Sequence, residues 1–91
     1  MKLKQGIIIS EINGEFVAVP SGAASKNFNG MIRMNKTAAM IAKMLQNGAT
    51  ETEVVDAICQ EYDVARDIAG EDYRAITAQF EALNLIDHDA N

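Results

Sequence analysis

The side chains that could do chemistry are few: one cysteine, Cys59, one imidazole, His88, in the tail Asp87-His88-Asp89, and the hydroxyls Ser21, Ser25 and Thr37. A thiol nucleophile needs a base within hydrogen-bond reach. His88 is far along the chain from Cys59, which falls on the apolar stripe of a helical pattern, so a structural core thiol is the better reading. Asp87, His88 and Asp89 could ligate a metal, but three ligands on a chain end would hold it weakly and unselectively. The six glycines are scattered singly, and none forms a phosphate-cradling loop between a strand and a helix. The hydroxyls lack any flanking motif for catalysis or for phosphopantetheine attachment, and acidic residues along helices are ordinarily a solvated face. The residues present therefore predict no enzyme, no cofactor and no metal.

The elements that carry these side chains form one small domain. A chain of 91 residues buries only about 60–65% of its unfolded surface, which leaves no room for a large cleft. With five aromatic residues and no Trp, it also lacks material for a stacking platform or deep pocket. Function is expected on a surface or in a groove. Residues 1–45 hold six Lys/Arg and two Glu, a charge of +4, whereas residues 46–91 hold two Arg and eleven Asp/Glu, a charge of −9. Such halves suit a partner bearing both signs better than a uniform polyanion. The lone cysteine, the short apolar run before Glu11 and the lack of an apolar stretch of about 20 residues point to the cytoplasm and away from membranes.

Residues 6–12, GIIISEI, are rich in β-branched side chains and run into Asn13-Gly14, the dipeptide suited to a two-residue hairpin turn. EFVAV returns as a second strand, which Pro20 stops. PSGAASKNF, residues 20–28, reads as a flexible connection. A third strand is predicted over about Asn29 to Met34, shortened if Asn29-Gly30 turns or bulges. Helix one begins near Asn35 as N-cap, buries Ala38, Ile41, Ala42 and Leu45, and ends at Gly48. Helix two opens on a Thr50/Glu53 capping box, buries Val55, Ile58, Cys59 and Tyr62, and stops near Asp63. Helix three runs from about Arg66 to Leu83 with Ala69, Tyr73, Ile76, Phe80 and Leu83 on one face. Asn84 then terminates it in left-handed conformation, and Leu85 and Ile86 return to the core. Residues 3–86 are expected to be ordered and 87–91 frayed. Three strands followed by three helices make an α+β, winged-helix-like fold with its sheet first.

A winged helix invites a DNA-binding reading. Between residues 65 and 84, however, Arg66 and Arg74 face Asp67, Glu71, Asp72 and Glu81, a negative balance where phosphates require the opposite.

The run MIRMNKTAAMIAKMLQNGATETEVVDAICQEYDV resembles the PqqD-like family, the leader-peptide-binding domains also called RiPP recognition elements. Met34-Asn35-Lys36-Thr37 is similar to that family's LN-x-T, Leu45 to Thr50 to its L-x-x-G-x-T, and Tyr62-Asp63 to the pair closing its second helix. FEALNLI is similar to its final L-x-x-x-G-L-I, with Asn84 where Gly is usual and Met34 where Leu is usual. The resemblance spans nearly the whole chain. It implies a non-catalytic adaptor on which the leader of a ribosomally made precursor peptide adds as a strand beside the third strand, its side chains entering a groove against helix three. It further implies a separate modifying enzyme acting in trans, such as the radical-SAM proteins this family accompanies. The basic strand side, with Lys26, Arg33 and Lys36, opposite an acidic helix three would suit a leader with apolar anchors and mixed charge.

On that reading the candidate peptide-binding residues are Gly30, Met31, Ile32 and Arg33 on the third strand, and Tyr73, Thr77 and Phe80 on helix three. Met31 and Arg33 share one strand face and Ile32 and Met34 the other; the sequence leaves open which faces the groove. Ile76, Phe80 and Leu83 are expected in the core, and Tyr73 and Thr77 at the helix margin. The rival readings are a winged-helix DNA-binding regulator and an oligomerisation module whose edge strand pairs with itself in a homodimer.

Overall fold

The computed structural model describes residues 1–22 and 30–89; the predicted 20–28 connection, the first residue of the predicted third strand and Lys26 lie largely or wholly outside them. The element order is β1 (Ile7–Ile12), β2 (Glu15–Pro20), β3 (Ile32–Met34), α1 (Lys36–Gln46), α2 (Glu51–Tyr62) and α3 (Arg66–Ala82). The strands form one antiparallel sheet in the order β1-β2-β3, so β3 is an edge. Asn13 and Gly14, at φ 53° and 82°, make the predicted tight hairpin, in which both central residues need positive φ.

The helices begin and end where their caps require. The Asn35 side chain accepts from the Ala38 N–H at 2.8 Å, which starts α1 one residue after β3 ends. Thr50 and Glu53 form a reciprocal capping box at the start of α2. The Thr50 N–H and hydroxyl together hold the Glu53 carboxyl below its ordinary pKa of 4.5. Its help to the cap is therefore complete above that pH and is lost as the pH falls through the lowered value. Asp63 and Asn84 take the left-handed conformation after α2 and α3, at φ 51° and 62°.

Apolar stripes from all three helices and the inner sheet face share one core around Ile41, Leu45, Val54, Ile58, Ala69 and Phe80, with α1 packed on the strands and α3 on α2. Val54, absent from the predicted stripe of α2, is fully buried, whereas Cys59 and Tyr62 are half-buried. The sequence reading also misses the first residues: Leu3 is buried and bridges Ile86. Its N–H donates to Leu45 O at 2.9 Å and that of Lys4 to Leu85 O at 2.8 Å. After Ile86, the Asp87 N–H donates to Lys2 O at 2.9 Å.

Gly70 is buried inside α3, but a Cβ added there meets only the far end of the Arg74 side chain, 3.2 Å away. Gly70→Ala is therefore expected to stabilise the protein by about 0.5–1 kcal/mol through lower unfolded-state entropy and better helix propensity. Urea unfolding measures this as a higher midpoint at unchanged slope.

Candidate functional site: the β3 edge and the groove beside α3

Register decides what β3 offers. The two-residue turn makes Ile12 and Glu15 a hydrogen-bonded pair, and the Ser21 N–H donates to Gly6 O at 2.8 Å at the other end of the hairpin. Bonded pairs alternate along an antiparallel ladder, so Val17 turns its backbone groups toward β1 while Phe16 and Ala18 turn theirs toward β3. Their partners there are Met34 and Ile32. The N–H and C=O of Arg33 consequently point away from β2, to the open edge.

The same pairing settles the faces. Ile32 stands opposite Ala18, which is completely buried in the core, and Ile32 and Met34 pack against that core. Arg33 stands on the other face, its Nε 3.7 Å from Glu15 Oε2 in an exposed pair. Such a pair is worth little. A groove of about 220 Å³ runs between β3 and α3, with Ile32, Met34 and Ala38 on one side and Ile76, Gln79, Phe80 and Leu83 on the other; among the described residues Arg33 is the one charged residue along it.

The predicted site residues separate on this geometry. Ile32, Arg33 and Phe80 come together at the groove. Gly30 and Met31 precede β3, because Gly30 at φ 86° leaves the extended conformation and the strand shortens to three residues. Tyr73 and Thr77, expected at the helix margin, are 5% and 6% exposed and do not line the groove. Burial pushes the Tyr73 phenol above 10, with the Glu51 charge adding to the effect. The Thr77 hydroxyl donates to Tyr73 O at 2.8 Å, a back-bond that satisfies it inside the helix. In their place stand Ile76, half-buried, and Leu83, 42% exposed, both expected in the core. α3 is rotated so that the 73/77/80 line faces inward and the 76/79/83 line looks along β3. A 4-3-4-3 stripe is one helix face with Tyr73 at one margin and Leu83 at the other, so spacing alone could not say which margin turns inward.

Among the described residues no base is hydrogen-bonded to Cys59. His88 Nε2 lies 2.7 Å from Glu81 Oε2 in a pair at the exposed end of the chain. Among the described residues no helix is long and apolar enough to cross a membrane.

Two solved structures share this fold. TbiB1 in complex with the TbiA(beta) leader peptide superposes with a TM-score of 0.75 at 24% identity, covering all of both chains. A lasso peptide synthetase B1 complexed with the leader peptide gives 0.70 at 21% identity over 92% of this chain and 93% of that one. No curated protein matches the chain. Residues 15–86 match the family described as Coenzyme PQQ synthesis protein D (PqqD), and by that match, over most of its length, the chain belongs to the PqqD family.

Proposed function

We propose that this protein is a non-catalytic adaptor that binds the leader segment of a ribosomally synthesised precursor peptide and hands it to a separate modifying enzyme acting in trans. The observation that carries the reading is the pairing of an open β3 edge at Arg33 with an apolar groove at its side. An added strand would bond to that edge, and every second side chain would enter the groove between Ile32 and Ile76. Both solved relatives hold a leader peptide, which supports the same occupant here. The recipient on this reading is an enzyme of the radical-SAM type, the kind that the family resemblance implies.

The test is calorimetric titration with a synthetic leader peptide from the precursor gene beside this one. Binding at micromolar Kd or tighter is expected, about −8 kcal/mol or more favourable. Among the described residues lining the groove, the one charged residue, Arg33, turns its side chain to the outer face, which implies weak dependence on salt. Binding to duplex DNA that falls steeply with salt, without leader binding, would replace this reading by the regulator.

A further inference from the structure

Resting on the leader-binding reading, we infer that the outer face of the sheet is the docking surface for the modifying enzyme, and that the bound leader completes it. A three-stranded sheet with helices on one side should turn polar residues outward. This one does so only in part. Directly opposed pairs share a face, so the outer face carries Ile8 beside Val19, Ser10 and Arg33 on either side of a buried Val17, and Ile12 beside Glu15 at the turn. Ile8 and Ile12 are each 49% exposed and Met31 60%. Ile12, Val17 and Met31, with the polar Asn13, Glu15 and Arg33, line a shallow depression of about 330 Å³ there. Half of the large apolar side chains exposed among the described residues are on this side of the sheet or at its margin, and such clustering marks interaction surfaces.

Continuity with the leader edge identifies the occupant. Side chains of a strand added beside β3 alternate between the two faces. Those that do not enter the groove must stand next to Arg33 on the outer face. A partner seated there touches protein and leader together, which is what an enzyme needs in order to distinguish a loaded adaptor from an empty one. A few exposed side chains are too little for a stable dimer, which buries about 800 Å² per partner. They fit a contact that forms and releases at each delivery, with a projection of the enzyme seated against Ile12 and Met31 and within reach of Glu15 and Arg33.

The test uses full-length Ile8→Lys and Ile12→Lys, with Ile68→Lys, an equally charged change at an exposed position on α3, as control. Leader affinity is read by calorimetry, and precursor modification by the enzyme encoded beside the precursor gene is read by mass spectrometry. Both sheet variants should bind leader within about twofold of wild type yet support modification at least about tenfold more slowly; the control should match wild type in both. Immobilised enzyme should bind the leader-loaded protein about fivefold or more tighter than the empty one. Wild-type delivery by Ile8→Lys and Ile12→Lys, or equal loss in Ile68→Lys, overturns the inference while leaving leader binding intact. So does light scattering that shows a wild-type dimer dissolved by these changes, which makes a second copy the occupant. Failure of the wild-type protein to bind leader overturns the underlying reading instead, and the calorimetry reports that separately.

Discussion

An Arg33→Pro variant is expected to stay folded and to bind the leader peptide at least about tenfold more weakly than wild type, whereas Ile32→Pro is expected to lose the third strand. The difference follows from one residue of register. Ile32 bonds inward to Ala18, so proline there removes a ladder hydrogen bond from a strand with only three paired residues. The melting temperature should drop sharply and the leader site with it. Arg33 directs its N–H outward, and its neighbour Ile32 already has the extended conformation that a following proline demands. What Arg33→Pro loses is a bond to the added strand together with a partner left unpaired, worth about 1–3 kcal/mol. Arg33→Ala separates backbone from side chain: its exposed 3.7 Å pair with Glu15 contributes little, so this variant should bind almost as wild type does. Calorimetry and circular dichroism on the three proteins decide the matter. Wild-type affinity in a folded Arg33→Pro would show that the leader does not add at this edge.

The second large effect is expected from the groove. Three residues of edge supply few backbone bonds, so side-chain anchors must provide much of the affinity and nearly all of the selectivity. Ile76 is half-buried on the α3 wall. Covering it with a leader side chain contributes a share of the roughly 1.5–3 kcal/mol that a full burial brings. Ile76→Asp forfeits that share and adds a carboxylate which the incoming apolar anchor would desolvate, so leader affinity should fall about 10- to 100-fold. Ile76→Ala should produce a smaller loss in the same direction, and it guards against a folding defect as the explanation. Tyr73→Phe should leave affinity unchanged, since that ring lies in the core with its hydroxyl 3.9 Å from Met1 Sδ. The reverse pattern, with Tyr73→Phe weakening binding and Ile76→Asp silent, would move the site off this groove.

What could be read without coordinates was whatever is encoded within a few residues of itself. Asn13-Gly14 announces its hairpin because both positions tolerate positive φ. Asn35 and the Thr50/Glu53 pair announce helix starts because the capping side chain lies three residues from the N–H it satisfies. Asp63 and Asn84 announce helix ends by their tolerance of the left-handed conformation. These signals, with the family motifs around them, place three strands, three helices and their order. Long-range choices were not legible. Leu3 carries no periodic pattern, and only the closing of the chain shows it bridging Ile86. A strand's two faces are equivalent until something packs on one of them; here the helices bury Ala18, and Ile32 beside it is thereby turned to the groove and Arg33 to the outer face. The rotation of α3 likewise depends on which of its apolar residues the sheet and α2 cover. That rotation places Tyr73 and Thr77 inside and Ile76 and Leu83 beside β3, a division set by packing between elements distant in sequence, where local spacing has no say.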